Sequence, residues 1–560
     1  MADKDTGYRF PRRVVGVTVL ALTLGGLTGV AAVPATAEVV GGGGQAGMTD
    51  PETISADVLP APQTNGPVYS VAIAGNTVYA GGRFTSARPY GSAPGTDEVP
   101  RTNLLAFDLT TGELLPWAPV VAGTPFNGSA DFCTSLPNGQ TVCDTVFRVR
   151  AAPDGSRVYV GGDFTSIDGV PRYRAAGFDT ATGEMISTFR PALSSRVRAL
   201  AVTEDRVYLG GAFTSVDGTA RQHITAVDLT GRAVPGFSAS SDYDVWAMAP
   251  SQDRSRVVVG GRFGNLSGAG RHGLGTVLAS DGSAGPWDST VGTSVVSAGA
   301  AVTDVAVEGS TAVASGFDYV SGGPRRFEGR LAADVDTGNL IWHDRCLGDT
   351  QAVAVSEGVV YSASHSHDCG AMGVGAFTGN GRYQRIVAET LDARGRTAFG
   401  EPRPDMLVTF PNTNGGPAGC TYCNGPWTVA ADGGYVIYGG EFSTVNDAAQ
   451  QGLARFAVRS QAPGEIPPIA LGTPQGWSGF RSATLFWTAA WDRDNAELTY
   501  NIFRDGIVVG SLRGTSYWWS APRLTWTDSG APSGVHSYAV QVVDEDGNGV
   551  RSSAVQVRVF

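Results

Sequence analysis

Apolar and polar positions alternate in short runs through most of the chain, and the runs recur. Val197-Arg198-Ala199-Leu200-Ala201-Val202 is one such run, and Arg206-Val207-Tyr208-Leu209 follows it after a tight turn. Alternation of this kind, bounded by turn residues, predicts half-buried strands. The second run ends on Gly-Gly-x-Phe. That string stands at Gly81–Phe84, Gly161–Phe164, Gly210–Phe213, Gly260–Phe263 and Gly439–Phe442, with a worn copy at Ser315-Gly316-Phe317. Phe164 to Phe213 spans 49 residues, the next step to Phe263 spans 50, and the next to Phe317 spans 54. One further step reaches His365, where Val359-Val360-Tyr361-Ser362-Ala363 keeps the strand and loses the string.

Each copy adds a third run, such as His223–Asp228, and a fourth near Pro235-Gly236-Phe237. Four strands repeated seven times predict an all-β fold, a seven-bladed β-propeller over residues 52–460. The paired glycines let neighbouring backbones approach, and the Phe fills the gap between blades. The last copy lacks a fourth strand. Residues 52–62 resemble the outer strand of another copy around Phe189, so they are expected to complete the last blade and remove an open edge.

After Pro463, Pro467 and Pro468 the pattern changes. Residues 461–468 read as a linker and 469–560 as a β-sandwich. Trp487 on an early strand, Tyr500 on a middle strand and Tyr538 opening a late strand resemble fibronectin type III modules, with Tyr538 as the tyrosine corner. Trp518, Trp519 and Trp526 are additional aromatics, suited to packing or to stacking on a sugar. The whole arrangement resembles secreted actinobacterial proteins that carry Gly-Gly-x-Phe propellers ahead of fibronectin type III or laminin-G-like modules. The resemblance implies an extracellular or surface-bound role and no particular reaction.

Charge and composition narrow the function. The net charge is −12, with no basic run beyond Arg12-Arg13, which argues against a nucleic-acid surface. Arg12-Arg13, an apolar stretch to Val33 and Ala35-Thr36-Ala37 predict a signal peptide over 1–37. A flexible leader follows over 38–51, and no later segment is apolar enough to span a membrane. Six cysteines in an exported chain predict disulfides. Sequence proximity pairs Cys133 with Cys143, Cys346 with Cys369 and Cys420 with Cys423.

If strands alternate in direction, insertions at 120–144 and 392–425 share one face, the one expected to carry function. Arg101, Arg172, Arg221, Arg271 and Arg325 or Arg326 recur on that side. They are expected to pair with Asp168 or Asp217, or else to form an anion-binding ring. The sharpest site candidates are His343, Asp344, His365, His367 and Asp368, gathered by the Cys346–Cys369 bond; they suit a divalent metal, a polar ligand or a packed plug. No nucleophile elbow, P-loop or sialidase Asp box is present. The expected function is binding or adhesion to a glycan or surface protein. The alternative is a carbohydrate-active enzyme, a glycosidase or polysaccharide lyase, using two carboxylates on the propeller.

Overall fold

A computed structural model describes residues 49–560 except 294–298, 320–326, 373–376, 379–380, 419 and 421. The expected signal peptide and most of the leader lie outside the described residues. The described chain is all-β, apart from one short 3-10 turn at Gly370–Met372, and is built of many small antiparallel sheets consistent with propeller blades. No described helix is long and apolar enough to cross a membrane.

Seven of these sheets share one order. An inner strand pairs with a second strand, and the second with a third, as in Val68–Ala74, Thr77–Gly82 and Leu104–Asp108. The fourth strand is weaker than the sequence predicts. Among the described residues one sheet alone keeps it, as Leu340–His343. In five others it shrinks to a single bridge, such as Phe107 with Leu114 or Phe178 with Met185, and in the last sheet to two, Ile54 with Val458 and Leu59 with Arg455.

The repeated glycines have a direct steric cause. A Cβ on Gly81 would lie 2.5 Å from Val146 of the next inner strand. One on Gly161 would lie 2.6 Å from Val197, and one on Gly210 the same distance from Val245. The series returns on itself, because a Cβ on Gly439 of the last sheet would meet Val68 of the first at 2.7 Å. Val71 N also donates to Thr428 Oγ1 (3.3 Å) across that junction. The following Phe side chains, Phe84, Phe164, Phe213, Phe263 and Phe442, are all buried. Residues 52–62 lie along the last third strand, where Ser55 N donates to Ala457 O and Leu59 N to Arg455 O.

The C-terminal segment forms two further sheets. One holds Gln475–Gly479, Ser482–Thr488 and Arg523–Ser529; the other is centred on Glu497–Arg504 and Gly534–Val543. Trp487, Tyr500, Leu498 and Val540 fill the space between them. Tyr538 departs from the expected corner: its hydroxyl donates to the Asp528 carboxylate (2.8 Å), not to backbone. Arg504 holds the same oxygen at 2.6 Å, so a charged acceptor replaces the carbonyl.

Trp518 and Trp519 serve packing. Both rings lie against Phe377, at 5.2 and 5.5 Å, and Trp519 is edge-on to Phe410 at 5.1 Å. They complete an apolar cluster around the Cys346–Cys369 disulfide with Met372 and Met406. Trp526 packs inside the C-terminal core. Polar contacts reinforce the junction: Ala56 N donates to Asp494 Oδ1 (2.7 Å), and Phe410 N to Arg493 O (2.8 Å).

Candidate functional site: an aromatic mouth

Every inner strand carries a bulge near its start, and a bulge re-aims a side chain. The pairing slips between Val68 and Ser70, Val146 and Arg148, Val197 and Ala199, and Val245 and Ala247. It slips likewise at Val302/Asp304, Thr350/Ala352 and Pro426/Thr428. The residues set out in this way are Tyr69, Phe147, Arg198, Trp246, Thr303, Gln351 and Trp427. Five of them converge. Tyr69 lies 6.0 Å from Phe147 and 5.6 Å from Trp427. The Arg198 guanidinium sits 4.9 Å from the Phe147 ring and 5.1 Å from Trp246.

Both insertions reach this mouth. Phe132 enters it edge-on to Tyr69 (5.7 Å) and Phe147 (5.4 Å), with Arg198 5.1 Å from its ring. Tyr422 stacks on Phe132 at 5.3 Å. Each ring is fixed by an adjacent disulfide. Phe132 precedes Cys133, bonded to Cys143; Tyr422 lies between Cys420 and Cys423, also bonded. The insertion at 392–425 is not one connection, however. Gly395–Arg396 and Pro402–Arg403 form a hairpin before the fourth-strand bridge at Met406, so only the stretch after it leads to the mouth.

The residue after each Gly-Gly pair lines the rim: Arg83, Asp163, Ala212, Arg262 and Glu441. Register adds two more. Ala363 pairs with Ala352 and Ser364 with Thr350, so His365 takes this place in the sixth sheet. In the fifth, Gly316 pairs with Val302, so Phe317 stands one place earlier than the motif reading gave it. Phe317 faces Trp246 (6.4 Å) and stacks on Tyr319 (5.2 Å). The buried Phe327 covers Gly316, much as Phe164 covers Gly162.

The mouth is rich in unused donors. Arg198 Nε, Trp246 Nε1 and Arg262 Nε are buried without a hydrogen-bond partner. A buried donor left unpaired costs roughly 1–3 kcal/mol, so three together mark a surface suited to an acceptor. Desolvation pulls the Arg198 guanidinium down to about 10, with Arg196 adding to the effect. Burial pushes the Glu441 carboxyl up against hydrogen bonds from Asn424 N (2.8 Å) and Trp427 Nε1 (3.3 Å). Tyr69, Arg83, Tyr422, Glu441 and Gln451 line a cleft of about 170 Å³ beside it. Further along the inner strands Arg148 spans to Asp304 (3.1 Å), and its other nitrogens donate to Arg198 O and Trp246 O.

The five residues expected to form the site separate into two groups. Cys346 and Cys369 are bonded, with Cα atoms 4.0 Å apart. His343 and Asp344 nevertheless turn inward. His343 is 7% exposed, with Nδ1 3.8 Å from Glu401. Burial, with Arg345 beside it, lowers its pKa to about 3. Asp344 is fully buried in an ion pair with Arg330, which also holds Glu389 at 2.6 Å. Burial pushes the Asp344 carboxyl up against the pull of Arg330. His365 and His367 lie at the rim, near-parallel at 6.4 Å, each edge-on to Tyr383. Burial lowers the His365 pKa to about 4. Asp368 caps the following turn through Gly370 N (2.9 Å). No three of these side chains offer neighbouring ligand atoms. Among the described residues the group that does is Cys133, Cys143 and Asp163, whose sulfurs are already bonded to each other.

Among the described residues Arg101, Arg172, Arg221 and Arg271 make no ion pair with Asp168 or Asp217. Arg101 donates to Pro100 O and Leu115 O, Arg172 to Pro171 O, and Arg271 to Gly270 O. They tie each third-strand hairpin to carbonyls of its own sheet. Asp168 and Asp217 instead accept from Val120 N and Ala192 N. Arg325 and Arg326 lie outside the described residues.

Sequence reasoning missed Tyr69, Phe147, Arg198, Trp246 and Trp427. Their signal was a large residue directly after the first apolar residue of an inner strand, at a position where the other residues repeat. No family model matches the chain, and no curated protein matches it. Among solved structures, it is similar to the extracellular domain of a one-component system from B. thetaiotaomicron. Sequence identity is 10% and the TM-score 0.37, over 91% of this chain; the match spans 59% of that domain's chain.

Proposed function

We propose that the chain is an exported glycan-binding protein. In this reading residues 52–460 form a seven-bladed propeller, 461–468 a linker and 469–560 a fibronectin type III-like module of the actinobacterial type. The propeller binds through the mouth formed by its bulged inner-strand residues. The observation that carries the reading is the combination of aromatic faces with unpaired buried donors. Aromatic rings cover the apolar face of a pyranose, and N–H groups meet its oxygens. A recessed, ring-walled mouth suits a sugar chain better than a flat protein surface. Three disulfides fit an oxidising compartment outside the cytoplasm.

The test is a glycan array and pull-down with the whole protein beside Trp246→Ala and Tyr422→Ala variants. Binding that falls by about fivefold or more in both variants, at unchanged melting temperature, supports the reading; loss of a stacking ring is worth roughly 1 kcal/mol or more. Wild-type protein that retains no glycan removes it. Steady release of reducing sugar would replace binding with polysaccharide cleavage, by a glycosidase or a lyase, the alternative stated above.

A further inference from the structure

Beside the mouth, between the second and third sheets, lies a cavity of about 430 Å³. Its wall includes Asp163, Arg174, Arg196, Thr124, Thr165 and the ring of Phe126. Asp163 is only 4% exposed. Its Oδ1 meets Arg196 Nε at 3.2 Å, while its Oδ2 is buried with no hydrogen-bond partner. Arg174 Nε is likewise buried and unpaired, because the Arg174 guanidinium is turned to the carbonyls of Asp163 and Phe164. Thr124 and Thr165 join hydroxyls at 3.0 Å on the same wall. Phe126, on the disulfide-closed insertion, is 38% exposed.

We infer that this cavity is a subsite for one neutral sugar unit, held by hydroxyls at Asp163. The inference rests on the glycan-binding reading and gives it a ligand class. An unpaired carboxylate oxygen needs a donor, and an unpaired guanidinium nitrogen needs an acceptor. A hydroxyl is both. A sugar carboxylate or phosphate satisfies the arginine and opposes Asp163, so the pair selects against an acidic unit despite the arginines nearby. Burial, which raises the Asp163 pKa against Arg196, Arg198 and Arg174, fits a carboxylate short of solvent donors. Phe126 supplies a face for the ring of the bound unit, and the two threonines supply further hydroxyl contacts.

The experiment is calorimetric titration of the whole protein with neutral gluco-, xylo-, manno- and N-acetylglucosamine oligosaccharides and with an oligogalacturonide. Asp163→Ala, Asp163→Asn and Phe126→Ala variants are run in parallel. The expected result is binding of a neutral oligosaccharide. Affinity should fall roughly tenfold or more in Asp163→Ala, as for loss of a hydrogen bond to a charged group, and by a smaller factor in Phe126→Ala. Phe126 is exposed, so its variant tests the subsite even where Asp163→Ala does not fold. Neutral binding unchanged in a folded Asp163 variant and in Phe126→Ala overturns the subsite and leaves the mouth as the glycan site. Preference for the oligogalacturonide overturns the neutral class alone. No binding to any of the five overturns the subsite, while the glycan array decides the wider reading.

Discussion

His343 shows how a single residue couples this fold to pH. Its imidazole is neutral in the folded chain because burial and Arg345 oppose its proton, with Glu401 only partly compensating. The unfolded chain has an ordinary histidine near 6.5. Between that value and about 3 the unfolded state therefore binds more protons, so stability is full above pH 6.5 and is lost as the pH falls. Asp494 works in the opposite sense, since burial raises it to about 6. A difference measurement removes it. His343→Gln cannot charge, so the loss of stability from pH 7 to pH 4 should be smaller in this variant by a few kcal/mol, on the scale of about 1.4 kcal/mol per unit. Urea melts at both pH values check this; parallel slopes for the two proteins would exclude His343 as the source. At this scale the sequence was a partial guide. It singled out His343 and Asp344 by their closeness to Cys346, but it cannot state whether a side chain next to a disulfide turns inward or outward.

Among elements, the repeat was legible because it is steric. Gly81, Gly161, Gly210, Gly260 and Gly439 sit where the next inner strand leaves no room for a Cβ, so only one residue type serves. The bulges were not legible, because the slip of one residue leaves the apolar rhythm of Val197–Val202 intact while re-aiming Arg198. For the same reason Phe317 passed for a motif residue when register gives it to the rim. The two disulfide-closed segments now have a clear task. Cys133–Cys143 and Cys420–Cys423 hold Phe132 and Tyr422 against each other over the mouth. Replacing Cys420 and Cys423 by serine frees a very short loop, whose closure is worth roughly 2 kcal/mol in the chain-entropy account. Replacing Cys346 and Cys369 frees a loop of separation 23 within a buried cluster, and should cost about 3 kcal/mol or more. The first pair should weaken glycan binding beyond its modest effect on stability; the second should lower stability first. Denaturant melts and glycan titrations on both double variants separate the two. Equal binding loss at equal stability loss would mean that Tyr422 is not positioned by its disulfide.

For the whole molecule, the junction with the C-terminal segment decides whether the chain unfolds in one step or two. Pro-rich residues 461–468 read as a linker in the sequence, and a free linker would leave two independent bodies. Trp518 and Trp519 argue otherwise, because their rings are spent on Phe377 and Phe410 and on the cluster around Cys346–Cys369. Asp494 binds Ala56 N and lies 3.7 Å from Arg459, and Asn548 donates to Gly464 O within residues 461–468 (2.8 Å). Ala56 belongs to the segment that runs along the last third strand, so this contact joins the C-terminal core to the outer edge of the last sheet. Trp519 is only partly buried, so Trp519→Ala should cost less than the 3–5 kcal/mol of a fully buried aromatic, about 2 kcal/mol. The more telling readout is cooperativity. Scanning calorimetry of the unaltered protein should give one transition, and Trp519→Ala should split it, with the C-terminal segment melting first. Two transitions in both proteins, unchanged by the substitution, would mean that the aromatic contacts do not couple the cores and that residues 461–468 act as a plain tether.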